Sequence, residues 1–382
     1  MPIYITGVAT TKFGELWGVS PRTLAREAVT GALADAASSP KDIEAIFVGN
    51  MLSGMLGGQE HLGAFFAEEL GLEVPAFKIE GACASGGLAM HNAIAAVASG
   101  RYHTVVVLGI EKMTDHKPDD VATALMGAGS EEERTAGATF PGLYAILARM
   151  HMDAYKTTPQ DLAAVAVKNH EHAAQNPNAQ FRSRITVAQV LASSMIADPL
   201  HLLDCSPISD GAAAVIVTSK PTSPKKGIIV AASAVATDSL GLSQRASLVE
   251  LAATRKAAKS AYREAGIVPA DVDVIELHDC FTIAEILALE DLGIFPKGQA
   301  ARAIRAGKVT LGTSKGLVAN PSGGLKGCGH PVGATGVKQI AELTLQLRGE
   351  AGGRQVARAR VGLAHNVGGS GGTAVVHILK RS

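Results

Sequence analysis

An α/β fold built from two duplicated halves is predicted by three features of this 382-residue chain. These are an ungapped internal repeat, alternation of strand-like and helix-like segments, and a length beyond that at which one core stops growing. At an offset of 229, Arg26 falls on Arg255, Ala28 on Ala257, Ala32 on Ala261 and Ala36 on Ala265. Pro40 then meets Pro269, Asp42 meets Asp271 and Ile46 meets Ile275. Each copy reads as an Ala-rich helix, a turn with Pro, a short acidic segment and an apolar strand at 43–48 or 272–277.

The elements follow in order. Met1-Pro2-Ile3-Tyr4-Ile5 reads as a first strand and not as a secretion signal. In each half a glycine-rich turn leads into a helix, at 86–99 and 333–348, and then a strand, at 104–109 and 361–364. Each half closes on a Gly, small-residue, Val run, at 210–217 and 371–378. Such alternation implies mainly parallel sheets buried on both faces. The pattern breaks between about 114 and 203, where charge and His increase and an amphipathic helix begins near Pro159; this reads as an insertion in the first half. The best linker is 219–226, which divides the chain into halves 1–222 and 223–382.

Composition excludes several classes. Lys plus Arg and Asp plus Glu both number 35, so no broad positive field favours nucleic acid. No apolar run reaches the roughly 18 residues of a membrane span. The last three residues, Lys380-Arg381-Ser382, do not match a peroxisomal signal. Four scattered cysteines form no C-x-x-C pair, which fits a reducing cytoplasm and gives no structural metal site.

Four segments carry candidate chemistry. In Gly81-Ala82-Cys83-Ala84-Ser85-Gly86-Gly87 the thiol is uncrowded and stands at a helix start, whose dipole lowers a thiol pKa. By itself, a Cys before a helix is more often an inert small hydrophobe. In Glu276-Leu277-His278-Asp279-Cys280-Phe281 an apolar strand ends on a His and a Cys, either a proton-handling pair or a buried pair beside a capping Asp. The run from Asn320 to Gly336 is glycine-rich and places His330 before a helix, a setting that keeps the ring neutral. Its spacing matches neither a P-loop nor a dinucleotide fingerprint. His365-Asn366-Val367-Gly368-Gly369 can aim backbone N–H groups at an oxyanion, or can be an ordinary tight hairpin.

Together and in this order the four segments resemble the thiolase family across the whole chain. His-Asp-Cys-Phe, Gly-His-Pro and His-Asn-x-Gly are similar to the sterol-carrier-protein-2 type and its archaeal and bacterial acetyl-CoA acetyltransferase relatives. The resemblance implies a five-layered α-β-α-β-α fold in which residues 114–203 form a loop domain that helps bind CoA. It implies that Cys83 is acylated, that His330 activates it, and that His330 and a water held by His278 stabilise an enolate. Cys280 would move the α-proton. The backbone at Cys83 and Gly368, in the loop with Asn366, would hold the tetrahedral oxyanion, and Ser322, Gly323 and Phe281 would contact substrate. The commoner thiolases place their acid/base Cys where this chain has Asn366-Val367-Gly368, so the second thiol here lies on another loop. Cys328 and Cys205 read as packed small residues, and His151 and Met152 as part of a loop-domain helix.

The expected activity is acetyl-CoA C-acetyltransferase, with acyl-CoA and CoA as substrates and no cofactor. Thiolysis of longer 3-ketoacyl-CoAs, a thiolase-like aldol lyase and a non-catalytic acyl-CoA scaffold are the alternatives. The resemblance also implies a homodimer or homotetramer in the cytoplasm. It suggests a complex with a 3-hydroxy-3-methylglutaryl-CoA synthase and a zinc-bearing OB-fold protein.

Overall fold

A computed structural model describes residues 2–221, 227–313 and 316–381. Five of the eight residues of the expected linker, 222–226, and with them the expected boundary between halves, lie outside the described residues.

Strands of the first half are β1 (Tyr4–Thr10), β2 (Ala45–Gly49), β3 (Ala76–Ile79) and β4 (Thr104–Glu111). A small hairpin follows, β5 (Met195–Ala197) and β6 (Leu200–His201), and then β7 (Gly211–Thr218). The second half supplies β8 (Ile228–Thr237), β9 (Val274–Glu276), β10 (Val318–Ala319), β11 (Val361–Gly368) and β12 (Thr373–Arg381). In the first half the spatial order is β3-β2-β4-β7-β1, and in the second β10-β9-β11-β12-β8. The order repeats strand for strand. So does the repeat read from sequence: short 3₁₀ turns Pro40–Asp42 and Pro269–Asp271 precede β2 and β9 at the same offset.

The sheets are mixed, which corrects the expectation of mainly parallel pairing. β2 pairs parallel with β3 and β4, but β7 runs antiparallel to both β4 and β1. The second half copies this, with β9 parallel to β10 and β11, and β12 antiparallel to β11 and β8. In the second half the cause is connection length. β11 turns directly into β12, and a tight hairpin makes antiparallel neighbours.

The two halves join edge to edge where Tyr4 and Ile5 of β1 meet Ile229 and Ile228 of β8. Between the two sheets lie the helices Ser85–Ala98 and Val332–Arg348, which touch each other and strands of both halves. Pro21–Ala36 packs on the far face of the first sheet and Ala252–Ala265 on that of the second. Five layers result. The insertion between β4 and β7 is helical, and its helix Phe140–Tyr155 is capped by Thr139, whose side chain accepts the Gly142 N–H. His151 and Met152 are buried on that helix. Among the described residues no helix is long and apolar enough to cross a membrane.

Burial holds six histidines neutral: His172, His330, His365 and His377 are pushed down to about 3, His170 to about 4, and His278 well below its usual value. Their unfolded counterparts titrate near 6.5, so below that pH the unfolded chain binds more protons and stability falls. Each fully neutral ring costs up to about 1.4 kcal/mol per pH unit there. Glu111 and Asp279, raised by burial to about 7, and Asp291, raised to about 6, take up protons in the folded state over the same range and offset part of this, so the melting temperature is expected to drop by only about 4 °C between pH 7.5 and 5.5, measured by calorimetry. A flat profile would contradict this burial pattern.

Candidate active site

Three of the four segments converge on one point. Cys83 Sγ and one ring nitrogen from each of His278 and His330 lie within 4.8 Å of one another. The two rings meet edge to face at 5.0 Å between centroids.

Cys83 sits in a 3₁₀ turn, Ala82–Ala84, just ahead of the helix Ser85–Ala98. Ala82 adopts φ of 53°, a left-handed conformation uncommon for a residue with a Cβ. Ser85 holds that turn: its Oγ donates to Ala82 O at 2.6 Å and accepts from Gly81 N at 3.0 Å. The thiol is buried, and burial pushes its pKa up to about 12. This reverses the expectation that the helix start lowers it; desolvation outweighs the amides of Gly369 and of Cys83 itself, which favour the thiolate. Gly369, which follows the Gly368 expected to help hold the oxyanion, lines the same cavity as Cys83.

His330 stands beside that thiol with its tautomer fixed. Thr335 Oγ1 spends its one proton on Pro331 O at 3.0 Å, so it accepts from His330 Nδ1 at 2.8 Å. The Nδ1–H is therefore fixed, and Nε2 carries the lone pair. His330 is neutral because of burial first and the Lys338 charge second. In this state its free nitrogen is an acceptor and becomes a donor only after taking a proton.

His278 and Cys280 follow β9, which ends at Glu276. Cys280 is buried and its thiol is also raised by burial. Tyr144, from the insertion, lies beside Cys280, donates to Gly369 O at 3.1 Å, and stacks on Phe281 at 4.6 Å. Its role was not legible in sequence, where it falls in the apolar stripe of a helix. Glu111 was also missed. At the end of β4 it accepts from Met51 N, Leu52 N, Asn50 Nδ2 and Gly333 N, all at 2.7–3.1 Å, and so ties the first half to the His330 helix.

A cavity of about 200 Å³ opens onto this cluster, lined by Cys83, Cys280, His330, Tyr144 and Phe281 among others. Phe281, expected to contact substrate, is in the cavity wall. Ser322 and Gly323 are not among the lining residues. Ser322 Oγ donates to Glu276 Oε2 at 2.7 Å and also meets Lys338 Nζ, so its hydroxyl is consumed by a buried ion pair. Gly323 packs against Ala173. Cys328 is packed as expected, but Cys205 forms part of the cavity wall.

Asn366 stands behind the cluster. Its Nδ2 reaches Cys83 O at 3.0 Å and His278 Nδ1 at 3.1 Å, and its Oδ1 accepts Gly87 N at 3.0 Å.

A duplicated five-layer fold with a thiol, two imidazoles and a second thiol at its centre defines the thiolase class. Residues 3–221 match the model of the thiolase N-terminal domain, and residues 234–381 that of the thiolase C-terminal domain-like family. The chain belongs to the thiolase family. It is 48% identical to the acetyl-CoA acetyltransferase of Methanothermobacter thermautotrophicus, covering 99% of both chains. Human sterol carrier protein 2 is 35% identical over 99% of this chain and 72% of that protein. Among solved structures, the Ltp2-ChsH2(DUF35) aldolase superposes with a TM-score of 0.84 at 26% identity, covering 100% of this chain and 98% of that one. Human mitochondrial 3-ketoacyl-CoA thiolase in complex with CoA gives a TM-score of 0.76 at 16% identity, covering 100% and 98%, a likeness of fold alone.

Proposed function

We propose that the chain is an acetyl-CoA acetyltransferase that joins two acetyl-CoA molecules into acetoacetyl-CoA, or cleaves that product, through a thioester on Cys83. The observation that carries this reading is the pairing of a buried thiol with the lone-pair nitrogen of His330. Full-length similarity to curated acetyl-CoA acetyltransferases supports the substrate.

Each step balances on residues of the site. His330 Nε2 takes the Cys83 proton and the thiolate attacks the thioester carbon. The amides of Cys83 and Gly369 hold the oxyanion, and CoA leaves with the proton of Cys280. The resulting Cys280 thiolate removes the α-proton of a second acetyl-CoA. The enolate oxygen is met by the Nε2–H that His330 now carries, and by His278, directly or through water. The α-carbon attacks the acetyl group on Cys83. Cys83 then leaves as thiolate and recovers its proton from His330. Each oxyanion donor of this kind is worth about 10²–10³ in rate.

The halves 1–222 and 223–382, cytoplasmic location and a homo-oligomeric state belong to the same proposal. So does a complex with a 3-hydroxy-3-methylglutaryl-CoA synthase and a zinc-bearing OB-fold protein; the Ltp2-ChsH2(DUF35) neighbour, by name a two-component aldolase, supports such a surface. Intact-protein mass spectrometry after mixing with acetyl-CoA is expected to give one acetyl adduct, absent in Cys83→Ala. No adduct on the unaltered chain would support a scaffold or an aldol lyase instead.

A further inference from the structure

The geometry points to Asn366 as the positioning residue that makes His278 a dedicated hydrogen-bond donor, by fixing its proton on Nε2. This rests on the reading of Cys83 and His330 just given, and adds what the fourth segment contributes.

The orientation of the Asn366 amide is settled by two independent contacts. Its oxygen faces the Gly87 N–H, and its nitrogen faces the Cys83 carbonyl. Turning the amide over would set oxygen against carbonyl oxygen and NH₂ against N–H, so the assignment holds without seeing hydrogens. The second Nδ2 hydrogen then points at His278 Nδ1, 3.1 Å away. An NH₂ group can only donate, so Nδ1 must accept. The ring is neutral in its buried setting, and its single proton is on Nε2. That nitrogen is buried and has no hydrogen-bond partner among the described residues. A buried donor without a partner is costly and calls for a functional account. An enolate oxygen beside Cys83 supplies one.

The two imidazoles are thereby given opposite polarity. Thr335 leaves the lone pair of His330 on Nε2, and Asn366 leaves the proton of His278 on Nε2. The same hydrogen bond argues against a metal role, although Cys83, His278 and His330 are spaced for one. A metal-bound His passes its other N–H to an acceptor, and Asn366 offers a donor there.

The site is built around this amide. A Cβ at Gly87 would lie 2.8 Å from Asn366 Oδ1, and one at Gly336 would collide with the same atom. Glycine on both central helices makes room for it.

Two measurements test the inference. In the unaltered protein carrying ¹⁵N-histidine, with His278→Asn for assignment, the His278 ring should show a protonated Nε2 and an unprotonated Nδ1. A protonated Nδ1 overturns the proposal. In Asn366→Asp a carboxylate accepts from Nδ1–H, which moves the lone pair to Nε2. Deuterium exchange at the acetyl-CoA α-carbon should then fall about 100-fold, while the rate of Cys83 acetylation stays within about tenfold. Equal loss of both steps, or of neither, overturns it. If the unaltered chain never acetylates Cys83, the proposed function fails instead, and the tautomer measurement still stands by itself.

Discussion

Replacing His330 by Ala is expected to lower turnover by at least about 10³-fold while leaving the fold intact. Burial disfavours both a lone Cys83 thiolate and a lone His330 imidazolium, so the thiol ionises by passing its proton within the pair, where the two opposite charges stabilise each other. The Gly369 amide and the helix start do not overcome that burial, and the lone pair on His330 Nε2 is the base within reach. After the first step the same nitrogen carries the proton that meets the enolate. One substitution removes both a base and an oxyanion donor. Acetylation of Cys83, followed by rapid-quench mass spectrometry, should slow together with overall turnover. Activity within a few-fold of the unaltered enzyme would remove His330 from this role, and with it the proposed order of proton transfers. His330→Asn separates the two functions: it keeps a donor near the enolate but supplies no base, so acylation should stay slow.

Much of this arrangement was legible in the sequence, and the rest fails for identifiable reasons. The repeat at a constant offset was visible because duplicated helix, turn and strand keep Pro40 and Pro269, and Asp42 and Asp271, in equivalent 3₁₀ turns. Cys83 and His330 stand in small-residue segments before helices, a local pattern that survives without tertiary knowledge. The strand directions did not follow from alternation alone, yet the His365–Gly372 stretch, one of whose readings was a tight hairpin, already implied an antiparallel pair. Ser322 came with the resemblance as a substrate contact; Glu276 and Lys338, which occupy its hydroxyl, come from other elements. Tyr144, Glu111 and the Asn366 side chain gain their roles only from contacts across the fold. Periodicity places Tyr144 in the core of its helix, and says nothing of the thiol it meets. The thiol pKa went the wrong way for a related reason: a helix start is a local feature, whereas burial depends on every layer packed above it.

The largest structural effect is expected at Gly336, where Ala should destabilise the protein by about 3 kcal/mol and also depress activity. The two central helices cross on glycine. A Cβ at Gly336 would overlap Gly87 N and the Asn366 amide oxygen and lie 2.8 Å from the carbonyl carbon of Gly86. From the other side, a Cβ on Gly86 would lie 2.6 Å from Gly333 O. The nearest atom in each case belongs to the backbone, so the backbones must separate. Leu, Ile and Met side chains packed between the sheets, including Met90, Ile94 and Ile340, would lose contact as they did so. Separation also moves His330 away from Cys83, because each residue stands at the start of one of the crossing helices. Gly18 is the control: nothing lies within 4 Å of a Cβ built there, so Gly18→Ala should change stability by less than about 0.5 kcal/mol. Denaturant unfolding of both variants and the rate of Cys83 acetylation give the readouts. Should Gly336→Ala fold as stably as Gly18→Ala and acetylate at the same rate, the close crossing would not be what brings thiol and imidazole together.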